Sequence, residues 1–393
     1  MKKLRITLLL TGLCCAFTLS AQGDKEIIDQ EIIGHIYKPI KKKPSASFTD
    51  SLKLPEGFKI DVYADNLGKP RMMAKNSNGD VYVTRRSGDI IRLVDDNKDG
   101  KADSRDTALV KDAIHGIDIK GDTAYLVTVN EVFKSKISDN GSMGELEQIA
   151  EDLPDGGQHE NRTLAMGPDG QLYVSVGSTC NACDETRDEN ATIVRMDPKT
   201  GERSIFAKGL RNTIGFDWQP ETDVLFGMDH GIDWLGDNEQ KEELNKIEEG
   251  NNYGWPYIYA DGKFNKADKP KDMSWEEYVK KTTQPVQLFT AHSAPLDFIF
   301  YRGNMFPEEY RKKALVTFRG SWNRRPAAGY KLITVDFEGE TAAGESDLVT
   351  GFLSEDGKSQ YGRLVGLLEL EDGSVLMSDD ENGIIYRISY GEN

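Results

Sequence analysis

Histidine is scarce in this chain, five in 393 residues, and one of them stands where chemistry is easy to place. His159 lies in Gly156-Gly157-Gln158-His159-Glu160-Asn161-Arg162-Thr163. This glycine-rich loop leads through Gly167-Pro168-Asp169-Gly170 into the strand-like run Leu172-Tyr173-Val174. Loops carried on a rigid scaffold are where a side chain can be aimed. An imidazole near neutral pKa can take the proton of a substrate hydroxyl while a hydride leaves the carbon. A second loop, Gly209-Leu210-Arg211-Asn212-Thr213-Ile214-Gly215, carries Arg211 and Asn212. A planar guanidinium matches carboxylates through paired N–H donors and polarises an oxygen that gains charge. Together the two loops offer a base and an anion grip.

Two further motifs point to different chemistry. From Asp95 to Asp106, side-chain oxygens fall at loop positions 1, 3, 5, 9 and 12 (Asp95, Asn97, Asp99, Asp103, Asp106), with Gly100 at position 6. Lys101 adds a backbone carbonyl, and the spacing is that of a calcium loop. Its last ligand is the shorter Asp instead of Glu, and a strand precedes it, so the loop is expected between strands. Cys180 and Cys183 are the only cysteines beyond the N-terminal leader. In an exported chain a C-x-x-C pair closes a small disulfide, with free thiols as the alternative. Asp184 follows where haem attachment would need His, and too few ligands are spaced for zinc.

The elements that must hold these loops repeat. Asn78-Gly79-Asp80 before Val81-Tyr82-Val83 is echoed at residues 120–127, 169–175, 222–226, 313–317 and 372–378. Period-2 apolar alternation bounded by Asp-Gly turns means β-strands. Six copies of one unit predict an all-β, six-bladed β-propeller. The wide gap between the fourth and fifth copies is expected to hold an insertion with a short helix at Ser274–Val279.

The ends and the charge bound the rest. Lys2, Lys3 and Arg5, the apolar run Leu8–Leu19 and Ser20-Ala21 read as a signal peptide over residues 1–21. Cys14 and Cys15 lie inside that run behind the bulky Leu13, which disfavours a lipoprotein. A periplasmic or secreted protein is expected. Residues 22–53 read as a polar linker and 54–393 as the folded domain. The net charge of −17 repels nucleic acid and anionic lipid, and makes local arginine clusters informative.

Taken together, these strings resemble the soluble quinoprotein sugar dehydrogenases, the glucose/sorbosone dehydrogenase family, over about residues 54–390. The resemblance implies a pyrroloquinoline quinone (PQQ) and Ca²⁺-dependent enzyme that oxidises a sugar and passes electrons to a separate cytochrome or quinone. It implies that His159 is the base and that Arg211 and Asn212 contact PQQ, with Arg319, Arg363 and His115 also on the cofactor side. The carbonyls of Gly231 and Ile232 would hold the Ca²⁺, Ile232 standing where the glucose enzymes have Pro. Arg319 stands where the sorbosone branch has His. Cys180-Asn181-Ala182-Cys183, Gly320-Ser321-Trp322-Asn323-Arg324 and Gly329-Tyr330-Lys331 place the chain nearer the sorbosone branch. The alternatives are a carbohydrate-binding propeller without redox chemistry and a Ca²⁺-dependent lactone hydrolase.

Overall fold

Each of the six turn motifs falls at the hairpin between the first and second strands of a four-stranded antiparallel sheet, and six such sheets form a β-propeller. The computed structural model describes residues 31–391; the leader expected over residues 1–21 lies outside them. The innermost strands are Pro70–Lys75, Gly116–Lys120, Leu164–Met166, Thr213–Trp218, Pro295–Phe300 and Leu364–Glu369, numbered here as blades 1 to 6. Blade 6 takes its outer strand from the other end of the chain. Phe58–Ala64 pairs antiparallel with Ile384–Tyr390, placing Ile60 opposite Ile388.

The second strands are buried along nearly their whole length, Val81, Tyr82, Val83 and Thr84 among them. Their two faces both meet neighbouring blades, so the alternation in the sequence separates one neighbour from the other instead of core from water. Buried hydroxyls on these strands staple adjacent blades. Thr84 Oγ1 accepts from Met72 N of its own blade and donates to the His115 carbonyl of the next. Ser378 does the same between Gly366 N and the Arg71 carbonyl, and Thr317 between Asp297 N and the Val365 carbonyl. A buried hydroxyl must find partners, and here the partners are what hold the ring together.

In an antiparallel blade the innermost strand starts on the face where the second strand ends. The loops carrying His115, His159, Arg211, Arg319 and Arg363 all lie on that one face. The insertion of blade 4, residues 248–286, holds the expected helix as Trp275–Tyr278, started by a capping box of Ser274 and Glu277. Its Asn252–Trp255 stretch climbs beside blade 3, with Tyr253 N and Trp255 N bonding the carbonyls of Lys208 and Gly209.

The segment expected as a linker, 22–53, is packed over much of its described part. Ile40–Lys41 pairs in parallel with Ser359–Gln360, and Phe48 and Leu52 are buried in the core shared by blades 5 and 6. The folded chain therefore begins ahead of Leu54. The segment's strand pairing runs through backbone groups, and its side-chain contacts are too scattered to leave a periodic pattern. No helix among the described residues is long and apolar enough to cross a membrane.

Candidate active site

His159 is fixed by one nitrogen. Nδ1 lies 2.9 Å from the Ser178 carbonyl and 2.8 Å from the Ser178 hydroxyl. A carbonyl only accepts, so Nδ1 carries the proton, and Nε2 keeps its lone pair with no partner among the described residues. Burial first, and the Arg211 charge second, push the pKa of His159 down to about 3. The ring is a neutral imidazole with a directed acceptor.

Arg211 and Asn212 begin blade 4, and Asp229 receives their backbone N–H groups at 2.9 and 2.8 Å. The Arg211 guanidinium does not present a free fork. Nε donates to the Asn181 carbonyl, and Nη2 donates to Asn181 Oδ1 and Asp233 Oδ2 at 2.7 and 3.0 Å. The residue is 2% exposed. Asn212 Nδ2 lies 3.3 Å from His230 Nδ1, and His230 Nε2 donates to the Pro295 carbonyl. Arg211, of the pair expected to contact a cofactor, therefore has its Nε and Nη2 donors engaged by protein acceptors.

A cluster of guanidinium groups around a single carboxylate lies on the blade 5, 6 and 1 side. Arg319 Nη2 bonds both oxygens of Asp380, at 2.8 and 2.9 Å, and its buried Nε has no partner. Arg71, missed in the sequence, meets the same carboxylate at 2.8 Å. Burial alone would raise Asp380, but Arg71 and Arg319 outweigh it and hold it below the usual carboxylate range. His115 donates Nδ1–H to the Arg162 carbonyl and accepts from Arg71 Nε and Nη2 at 3.3 and 3.2 Å. Burial, then Arg71, push its pKa down to about 3, so it aims Arg71 as a neutral ring. Arg363 is anchored on the carbonyls of Arg319 and Gly320. A cavity of about 140 Å³ between Arg71, Arg86, His115 and Glu160 opens here. In a chain of net charge −17 this concentration of guanidinium groups is a local positive field that attracts an anion. Arg71 was legible only by register: it enters the first innermost strand as His115 precedes the second.

Gly231 and Ile232 fit a cation through their carbonyls. Their N–H groups are tied to Glu242 Oε2 at 2.9 Å and to Gln240 Oε1 at 3.0 Å. Neither carbonyl receives a hydrogen bond from a described residue. Two adjacent buried carbonyls without donors suit a hard ion. Ile232 itself packs with Ala191 and Trp255.

The calcium-type loop lies elsewhere. It joins the third and fourth strands of blade 1, on the opposite face from His159. Asp95 receives the N–H groups of Asp99 and Gly100, Asn97 Oδ1 that of Asp99, Asp99 that of Lys101, and Asp103 that of Asp96. Gly100 has φ +85°, and a Cβ there would meet Arg387, so the turn requires glycine. Asp106 departs from expectation. It has left the loop for strand Ser104–Val110, where cross-strand Arg92 binds it at 2.8 Å. The strand register, not the loop, directs its side chain.

A larger hollow of about 640 Å³ opens at the far end of the axis, between Lys75, Trp218, Arg302 and Glu369. It holds none of the expected site residues, and the geometry at His159 outweighs its size. Cys180 and Cys183 are joined as a disulfide.

Comparison with known proteins follows the same outline. The calcium structure of a Trichoderma reesei carbohydrate-active enzyme of family AA12 superposes with a TM-score of 0.77 at 21% identity, covering 87% of this chain and 97% of that one. The holo PQQ domain of a Coprinopsis cinerea pyranose dehydrogenase gives 0.73 at 19%, covering 86% and 97%. These likenesses show the fold. An uncharacterized protein of Borreliella burgdorferi is 32% identical over 363 residues, 87% of this chain and 92% of that protein. The nearness to the sorbosone branch does not hold. Short loop strings carried it, whereas the matching family model, TrAA12-like, runs over residues 52–391. With that span covering the propeller from its closing strand to its last, the chain belongs to the TrAA12-like family.

Proposed function

We propose that this protein is a PQQ-dependent sugar oxidoreductase acting on an aldose or pyranose. The observation that carries the reading is His159, neutral, with Nε2 unpartnered on the same face as a cluster of arginines. Bound PQQ would supply the two-electron acceptor for a hydride. Arg71, Arg319 and Arg363 would hold its carboxylates, and the Gly231 and Ile232 carbonyls would hold Ca²⁺. His159 Nε2 takes the proton of the sugar hydroxyl, while Ser178 keeps the ring in the tautomer that can do so. Arg211 and Asn212 hold the loops around the base in place. The protein is proposed to be exported, and to hand its electrons to a separate cytochrome or quinone.

The lactone-hydrolase alternative needs carboxylates converging on one cation. Among the described residues, the grouping of His, Cys, Asp or Glu ligand atoms within 4.8 Å of one another is Cys180, Cys183 and Glu185, whose sulfurs are already bonded. The test is reconstitution of the protein with PQQ and Ca²⁺, followed by absorption spectra during addition of aldoses. Sugar-dependent bleaching of the oxidised cofactor band is expected. Failure to bind PQQ would discard the reading.

A further inference from the structure

The Cys180–Cys183 loop touches both halves of the site. Residues 177–191 contain no helix and no strand; backbone bonds at the ends, such as Ser178 N to the Arg211 carbonyl at 2.8 Å, leave the stretch around Cys180–Cys183 to side-chain bonds and the disulfide. On one side, Ser178 donates its hydroxyl proton to the Cys180 carbonyl at 2.8 Å. The same hydroxyl oxygen, with the Ser178 carbonyl, receives the His159 Nδ1 proton. On the other side stands Asn181, between the two cysteines. Its Oδ1 accepts from Arg211 Nη2 at 2.7 Å and from Asp233 N at 2.9 Å. Its carbonyl accepts from Arg211 Nε at 2.8 Å and from Trp255 Nε1 at 3.4 Å. Downstream, Glu185 accepts from both the N–H and the hydroxyl of Thr179. Cys180 and Ala182 pack on the Ala191, Ile232 and Trp255 cluster.

A disulfide with a sequence separation of 3 removes little freedom from the unfolded chain. Its effect is local, and what is local here is the support of His159 and Arg211. We propose that the Cys180–Cys183 disulfide and the Asn181 it brackets are positioning elements of the site, holding His159 and Arg211 in place together, so that reducing the disulfide releases both. The proposal rests on the reading of His159 as the base. The step is a two-electron exchange. A thiolate of a dithiol attacks one sulfur and the S–S bond breaks. The reagent's second thiol then resolves the mixed disulfide, closing the reagent into its own disulfide and leaving two protein thiols.

The test uses the full chain labelled with ¹⁵N-histidine, with His159→Gln assigning the resonance. In the oxidised protein His159 is expected as a single Nδ1–H tautomer. Dithiothreitol, with free thiols counted, should give a mixture of tautomers, as should the isosteric pair C180S/C183S checked for native circular dichroism. In the PQQ-loaded enzyme kcat should fall on the order of a hundredfold with the sugar KM little changed, the signature of a misaligned base. Asn181→Leu should reproduce the loss of kcat. Asn181→Asp, which keeps both acceptor contacts of Oδ1, should restore it. An unchanged His159 spectrum after full reduction overturns the proposal. If the tautomer shifts but neither redox state oxidises any sugar, the lock stands and the functional reading fails.

Discussion

With Nδ1 committed to Ser178, His159 has one route for a proton, through Nε2. Its depressed pKa has a kinetic consequence. A solvated histidine would lose activity below about pH 6.5 as it became charged. Here burial and Arg211 delay protonation to about pH 3. The pH profile of kcat/KM is therefore expected to show no inflection near 6.5 between about pH 5 and 8; one there would mean a solvent-exposed ring. His159→Gln should cost roughly 10²–10⁴ in kcat while PQQ stays bound, because the ring touches none of the arginines assigned to the cofactor. Arg211 differs from Arg319, whose Nε is unpartnered, in this respect. Its donors are spent on Asn181 and Asp233, so its loss would act through the loops it ties.

At the scale of elements, the N-terminal strap is what the sequence concealed. Ile33 O receives Asp237 N, His35 bonds both Asp237 oxygens, and Tyr37 N reaches the Trp322 carbonyl. The strap thus spans the rims of blades 4 and 5 on the face of His159. Its side chains give no hint of this, since Ile33 and Ile36 are 66% and 73% exposed and the attachments are mostly backbone. The blades were legible because each needs a tight turn before a strand buried on both faces, which forces Gly, Asp and β-branched residues into a fixed order. The site was legible in its principal residues and opaque in their partners. Ser178 and Asn181 share one loop of blade 3, whereas Arg71 lies on a strand of blade 1 and Asp380 just beyond a strand of blade 6, and only the closed ring brings these together. Asp237→Ala removes both bonds to His35. Because His35 is about half exposed, global stability should change by less than about 1 kcal/mol. Amide exchange at His35 and Tyr37 should nonetheless rise severalfold. Unchanged exchange would mean that the Asp237 contact does not hold the strap.

At the scale of the whole molecule, the ring is closed by polar groups withdrawn from water, and this makes its stability depend on pH in both directions. Asp297 on blade 5 receives Leu367 N of blade 6 at 2.7 Å, and burial pushes its pKa up to about 7. Burial raises Glu243 to about 8 and Asp379 to about 6. A carboxyl raised on folding stabilises fully below its unfolded pKa of about 4, and that contribution disappears as pH rises through the folded value. His115 and His159, held near 3, behave oppositely: their contribution is present above about 6.5 and is lost as pH falls through the folded pKa. Between about pH 4 and 6.5 the two sets oppose one another. Above 6.5 only the raised carboxyls still change, so stability should fall from there to about pH 8.5. Asp297→Asn keeps an acceptor for Leu367 N and has nothing to ionise. Urea midpoints measured from pH 6 to 8.5 should therefore fall less steeply in this variant than in the parent. Equal slopes would show that Asp297 is already ionised in the folded ring, with the Leu367 and Phe298 N–H groups compensating its burial.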